Sequence, residues 1–541
     1  MAFYLSEAIF LVLAILSLYI VRFYYAYFTR PSPLPGPFPF PLFGNMLTYP
    51  GDMLTWSNHH SKIYGDFYEV YMGTQRTFWL CRGDLCEKIF SSSRANNFLL
   101  RTPPNDGLDE FDVSKKGLLF NRDLDNWRFY RKFMSRVMMT PKFLKETCEW
   151  VQDIWGEMEE YWQENDGNLK NDSGKVLDLS GWALRVTTDS IIHLTTHKKA
   201  YSLASYHKKL SPNSVLLKQV PKSVLKSSDK FVGAIRMFID SLAFFMSTPW
   251  ITRRMPGVKE RVRELIRNRD WLNEDLLRII RERREEVERL NDCNTKDHTT
   301  LGESKNIELR TDLLTMLLTV NTNLDITKGI GDEINCNPIT DDEIREIMIE
   351  VFAGGIDTTA NTICYVIYHL EHHPNVKQRF LKELDSTFGR DPNYRFKIED
   401  LSKLEYSEAI IKEVQRVFPT TPINFRANVE PCEIGGCKFP ADTQFFVNNQ
   451  SVNSHPAHWT NPHEFNPDRF LSNPIDPKQP KQTVYNSFGG GLRMCPGKNI
   501  AMMQLKAFMV LLYRKWEIEL LDMNAPIKNH FTIVRQCDTL E

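Results

Sequence analysis

The sequence predicts a mainly α-helical protein with a small β-rich part, carried behind an N-terminal membrane helix. Three observations predict it. An uncharged, strongly apolar run stands near the start, at Ala8–Val21. From about residue 50 onward apolar residues recur at helical spacing, most strongly after Thr340. Strand-like alternation is confined to Asp66–Leu80, Phe425–Val447 and the C-terminus.

The apolar run is followed by Arg22, then by Phe23, Tyr24, Tyr25, Tyr27 and Phe28, then by Arg30. An apolar core with an aromatic, basic edge has the composition of an anchor that ends at a membrane interface. Ser6–Phe28 crosses a hydrocarbon layer of about 30 Å only if Arg22 snorkels. A cleaved signal peptide fits less well, because a basic n-region and a small-x-small cleavage site are both missing. Glu7 before the run and Arg22 and Arg30 after it put the body of the protein in the cytosol. Residues 31–45 then read Pro-Ser-Pro-Leu-Pro-Gly-Pro-Phe-Pro-Phe-Pro-Leu-Phe-Gly-Asn, a stiff extended spacer. The expected organisation is an anchor over 1–30, a proline-rich hinge over 31–48 and one globular domain over 49–541.

With 541 residues the chain has room for one large domain or for several. Lys and Arg (67) balance Asp and Glu (68), so no basic excess points to nucleic acid. Ten cysteines are scattered without a Cys-x-x-Cys pair or zinc spacing. Cys432 and Cys437 bracket a Gly-Gly turn and are placed to face each other across a hairpin. They read as free thiols, since nothing else suggests a disulfide framework. Cys293–Asn306 and Asp325–Pro338 read as exposed polar loops, and the Arg- and Glu-rich Arg253–Leu290 as a solvated helical face. No Gly-x-Gly-x-x-Gly or P-loop motif is present, so neither a nucleotide domain nor a fused reductase is expected. His369, His372 and His373 read as a helix end rather than a metal site.

The strongest helix opens on a capping box, Thr340-Asp-Asp-Glu343, and is expected to run to His373, where Pro374 stops it. That is about 48 Å of helix at 1.5 Å per residue. In its middle stands Gly354-Gly-Ile-Asp-Thr-Thr359. Each interior glycine costs about 1 kcal/mol relative to alanine. Asp and Thr compete with the helix for its backbone hydrogen bonds. A strong helix that breaks its own rules marks a functional site. A tolerated kink, or tight packing against another helix, is the plain reading. Room for a ligand, with a kink that opens a groove, is the functional one. Asp357 and Thr358 then offer a carboxylate and a hydroxyl as a path for protons.

The second unusual run is Phe488-Gly-Gly-Gly-Leu-Arg-Met-Cys-Pro-Gly497. Three glycines clear one flank so that a flat partner can approach the backbone. Pro496 and Gly497 bend the chain before an apolar helical segment, Asn499–Trp516. A thiolate at such a turn gains from backbone N–H groups and the positive end of a helix. It is a suitable axial ligand for haem iron. A lone cysteine is most often a small buried hydrophobe. Here, however, Phe488, Gly491, Arg493, Cys495 and Gly497 fill five positions at fixed spacing.

That run resembles the haem-binding loop of the cytochrome P-450 family, the haem-thiolate monooxygenases. The mid-helix run resembles the family's Ala/Gly-Gly-x-Asp/Glu-Thr-Thr/Ser pattern. Glu413-Val-Gln-Arg416 resembles its Glu-x-x-Arg signature. Pro467-Asp-Arg-Phe470 resembles its Pro-Glu-Arg-Phe-type motif, with Asp468 in place of Glu. Trp127-Arg-Phe-Tyr-Arg131 resembles its Trp-x-x-x-Arg motif, and the proline-rich segment resembles the hinge of microsomal members. The motifs fall in family order over residues 31–497.

The resemblance implies the cytochrome P-450 fold, a large helical domain with a small β-rich subdomain. It implies haem, with Cys495 as the proximal iron ligand and Phe488 beside the sulfur. Arg493, Trp127, Arg131 and, on a strand, Arg426 would bind haem propionates, and Gly497 belongs to the loop. Asp357 and Thr358 would deliver protons for the cleavage of dioxygen. Glu413, Arg416 and Arg469 would form a buried charge network behind the cysteine loop. The implied activity inserts one oxygen atom of O2 into an apolar substrate. Electrons would come from NADPH through a separate reductase docked on basic residues such as Lys132 and Lys498. The implied place is the cytosolic face of the endoplasmic reticulum. A haem-thiolate isomerase or dehydratase acting on hydroperoxides, and a haem protein that only binds gas or carries electrons, stay open as alternatives. Both are free to lose Thr358. Expected pocket residues, such as Phe352, Ala353 and 420–425, are mixed in polarity and fit fatty acids, sterols, terpenoids or aromatic compounds alike.

Overall fold

The computed structural model describes residues 2–541 apart from 94, 139, 165–169, 172–173, 298–309, 326–337, 390, 392 and 472–483. Helices dominate and the strands are short. Two compact units divide the chain. The smaller comprises Met1–Pro104, Ile423–His458 and Pro480–Arg493, and the larger comprises Asn105–Pro422, Trp459–Gln479 and Met494–Glu541.

The smaller unit begins with the helix Ala2–Phe28, of which Phe10–Phe28 is long and apolar enough to cross a membrane. Its sheet has four strands in the spatial order Phe67–Met72, Gln75–Leu80, Gln444–Asn448 and Ile423–Ala427. The first two form an antiparallel hairpin, and the middle pair is parallel. Both lie within the stretches read as strands. A further hairpin joins Cys432–Ile434 to Cys437–Phe439, but it pairs Cys432 with Phe439 and Cys437 with Ile434. The two cysteines therefore do not face each other, contrary to expectation. Gly435 and Gly436, both at positive φ, make a two-residue turn, and that turn puts the two cysteines two pairs apart along the ladder.

The larger unit is built around the helix Asp341–His372. Thr340 caps it through the reciprocal bonds of a capping box with Glu343. The helix stays α-helical through Gly354–Thr359, where a kink was expected, and the next helix starts directly at Pro374. It packs most extensively on Leu179–Thr196 and runs through a core that also takes in Pro141–Glu164, Glu405–Val417 and Lys498–Tyr513. The last of these is the apolar helix expected after the cysteine loop.

Two expectations need correction. Arg253–Leu290 is helical, within Trp250–Arg254 and Pro256–Asp297, but it is not a uniformly solvated face. Arg253 is 1% exposed and paired with Asp106 and Glu110, and Arg283 is 2% exposed beside Asp312. Carboxylates distant in sequence compensate these cations, so the local charge pattern could not reveal the burial. Residues 293–297, read as the start of a loop, belong to the helix Pro256–Asp297. The rest of that loop and nearly all of Asp325–Pro338 lie outside the described residues.

Candidate functional site

In the larger unit the two mid-helix glycines do different jobs. A Cβ on Gly355 would meet Ile191 Cδ1 at 3.0 Å, so Gly355 permits close packing on the helix Leu179–Thr196. A Cβ on Gly354 would meet nothing within 4 Å. Gly355 is thus explained by helix packing, while Gly354 faces open space. Gly354 is exposed although Phe352, Ala353 and Ile356 around it are buried. Thr358 stands one turn on, on the same face, and its Oγ1 donates to the Gly354 carbonyl at 2.6 Å.

Asp357 points the other way and is buried. Its Oδ1 lies 3.7 Å from Arg236 Nε, and its Oδ2 is buried without a hydrogen-bond partner. Burial pushes its carboxyl above the usual range, Arg236 opposes the shift, and Asp240 adds to it. His530 also acts on Asp357, in the same sense as Arg236. Sequence reasoning missed all three neighbours. They come from the helix Lys222–Ser247 and the strand Lys528–Phe531, and no motif marks them.

Cys495 is exposed, two residues before Gly497, the N-cap of the helix Lys498–Tyr513. Its Sγ lies 3.9 Å from where a Gly497 Cβ would stand. The sulfur therefore sits beside the first turn of a 16-residue helix, at its positive end. Arg131 is close enough to feel it. Burial pulls that guanidinium down and the Cys495 thiolate opposes the shift. Trp127, one turn before Arg131 on the helix Leu124–Val137, is buried.

Glu413 and Arg416 are fully buried and pair through two parallel bonds, Nε to Oε2 at 2.7 Å and Nη2 to Oε1 at 2.8 Å. Arg469 Nε lies 3.5 Å from Glu413 Oε1. Arg416 also donates to the carbonyls of Pro462 (2.7 Å) and Glu464 (3.0 Å). Arg469 donates to those of Thr460 (2.5 Å) and Asn461 (2.9 Å). Asp468, the substituted position, binds Arg379 at 2.5 Å instead of entering the network.

In the smaller unit Arg426 is fully buried on the edge strand Ile423–Ala427. Its Nη1 donates to the Phe425 carbonyl at 2.9 Å, while Nε and Nη2 are buried with no partner. Burial, then repulsion from Arg101 and Arg493, drives it well below the usual arginine range. Arg493 Nε donates to the Leu99 carbonyl at 2.6 Å. Three mutually repelling guanidiniums and two orphaned donors fit an anionic group such as a carboxylate. A haem propionate is of that kind. Two of the glycines before Cys495, Gly490 and Gly491, are required by the packing of the chain itself. A Cβ on Gly490 would lie 2.6 Å from Phe90 Cβ, and one on Gly491 (φ +63°) 2.3 Å from the Ser91 carbonyl oxygen. Phe488 is half-buried.

The family model described as Cytochrome P450 matches residues 34–538. Tabersonine 6,7-epoxidase isoform 2 of Catharanthus roseus is 24% identical over 503 residues, 91% of this chain and 86% of that protein. Cytochrome P450 3A17 of Cavia porcellus is 24% identical over 520 residues, 95% of this chain and 91% of that protein. Cytochrome P450 71A9 of Glycine max is 38% identical over a shorter stretch of 186 residues, 34% of this chain and 36% of that protein.

Proposed function

This chain belongs to the cytochrome P450 family, and on that premise we propose the roles its residues take in a haem-thiolate monooxygenase. Bound haem supplies the iron at which dioxygen is activated. Cys495 Sγ would hold the haem iron, kept as thiolate by the helix end at Gly497 and by Arg131. Arg426 and Arg493, with Trp127 and Arg131, bind the propionates, and Phe488 packs beside the sulfur. The orphaned Nε and Nη2 of Arg426 support this reading.

Asp357 and Thr358 move protons. Burial favours the protonated form of the Asp357 carboxyl, and Arg236, 3.7 Å away, opposes that and holds the side chain in place. Thr358 Oγ1 spends its own proton on the Gly354 carbonyl, so it hands a proton on only after χ1 rotates away. The observation that carries the reading is the pairing of an open position, Gly354, with a hydroxyl one turn later and a buried acid beside it.

The substrate is an apolar organic molecule accommodated beside Phe352 and Ala353. Electrons arrive from an NADPH-dependent reductase that docks on basic residues, among them Lys132 and Lys498. Residues 1–30 anchor the protein in the endoplasmic reticulum membrane, 31–48 form the hinge, and 49–541 form the cytosolic catalytic domain. One spectrum tests the ligand. Reduced protein under carbon monoxide shows the red-shifted Soret band of thiolate-ligated haem, and Cys495→Ala loses it. A Cys495→Ala variant that keeps the band overturns the assignment.

A further inference from the structure

Two thiols that the proposed chemistry does not use meet in the core of the larger unit. Cys364 lies on the helix Asp341–His372 and Cys537 on the strand Arg535–Thr539. Both are free and buried, at 1% and 6% exposed. A single buried cysteine is a small hydrophobe. These two hydrogen-bond each other through their side chains, so each sulfur has the other as its neighbour.

The surrounding bonds hold both backbones in place. Asn361 Oδ1 accepts from the Cys537 amide at 2.7 Å, and Tyr365 OH donates to the Arg535 carbonyl at 3.1 Å. Asn361, Cys364 and Tyr365 are three and four residues apart, so they share one face of the helix. The strand is thus clamped to that face at two points, with Cys364 between them in sequence. A register shift between Cys537 and Thr539 marks a bulge in the strand, a device that re-aims a side chain. Cys537 Sγ also reaches the Thr539 carbonyl, at 3.6 Å. The Cys364 thiol is pushed well above its ordinary value, first by its bond to Cys537 and then by burial. Cys364 therefore keeps its proton and reacts second.

We propose that Cys364 and Cys537 are an oxidisable pair, which hydrogen peroxide joins into a disulfide that ties the strand Arg535–Thr539 to the helix Asp341–His372. Cys537 Sγ attacks one peroxide oxygen and the O–O bond breaks. The sulfur becomes a sulfenic acid and one water leaves. Cys364 Sγ then attacks Cys537 Sγ and the S–O bond breaks. The hydroxide leaves as a second water with the Cys364 proton. The two thiols lose two electrons and the peroxide gains them. The pair belongs to packing within the larger unit and is independent of the haem reading.

The test treats the full wild-type chain in detergent with about a tenfold molar excess of hydrogen peroxide, then digests it without reductant for mass spectrometry. A peptide joining residues 364 and 537 is expected in more than about a fifth of the protein, and dithiothreitol splits it. A smaller joined fraction overturns the proposal. The bond closes a long loop, so the thermal midpoint of the joined protein is expected to rise by about 4 °C and to return with dithiothreitol. An unchanged midpoint in joined protein overturns the tie between strand and helix. Cys364→Ser, checked for folding by circular dichroism, stops Cys537 at the sulfenic acid, which dimedone labels. Label at position 537 no greater than in wild type overturns the order of attack.

Discussion

Replacing Glu413 with alanine strands two buried cations. Glu413 takes two bonds from Arg416, one from the Asn466 amide at 2.8 Å, and faces Arg469 at 3.5 Å. Both members of the central pair are fully buried. Breaking such a pair from one side costs about 3–5 kcal/mol, because the remaining charge keeps its desolvation penalty. The carbonyls of Pro462 and Glu464 still hold Arg416, which places the loss toward the lower end. At an unfolding entropy of about 2.1 cal/mol/K per residue, 541 residues give about 1.1 kcal/mol per degree. The thermal midpoint is therefore expected to fall by about 3–4 °C. Far-UV circular dichroism of the full chain in detergent measures it. Glu413→Gln keeps the volume and one acceptor oxygen and falls less. The double change Glu413→Met with Arg416→Met recovers part of the loss, since an apolar pair of similar size is close to neutral. A Glu413→Ala midpoint within about 1 °C of wild type refutes the argument. So does a double variant that falls further than the single one.

Three other outcomes follow from the geometry. Gly354→Ala, whose new Cβ meets nothing within 4 Å, stabilises the helix by about 1 kcal/mol yet lowers turnover; unchanged turnover places the substrate elsewhere. Thr358→Ala keeps the carbon monoxide spectrum but releases peroxide, and product per NADPH falls by a factor of at least about ten; unchanged coupling removes Thr358 from the proton path. Asp189 is buried, accepts the Ser202 and Leu203 amides, and is pushed by burial well above the usual carboxylate range, up to about 7. A carboxyl raised on folding contributes stability below its unfolded pKa and loses it as pH rises through the folded one. Wild type should thus lose up to about 1.4 kcal/mol per pH unit from this group between pH 4 and 7. Asp189→Asn lacks that slope, and parallel stability profiles over this window exclude the effect.

What the sequence made legible was local. The capping box at Thr340 and Glu343, the long helix it opens and the strands near residues 67–80 all depend on residues a few places apart. What stayed hidden depends on partners far away in sequence. Arg253 reads as a surface cation until Asp106 and Glu110 are placed beside it. Gly354 and Gly355 are identical in sequence, and only Ile191 tells them apart. Asp357 was found by motif, but Arg236, Asp240 and His530 were not, because they belong to elements brought to it by packing. The same holds for Cys432 and Cys437, whose spacing looked right and whose register, set by the turn, was not.

The charge network also holds a stretch of chain that has little regular structure of its own. Residues 460–464 offer four carbonyls to Arg416 and Arg469, and Asn466 gives its amide to Glu413. No sheet ladder supports this stretch, so it opens only when the side chains let go. Its amides then share one opening event, a small cooperative unit within a larger protein. The Asn466 amide is the hydrogen-exchange clock of that event. Its rate reports, without any bound ligand or turnover, how often the charge network lets go of residues 460–466.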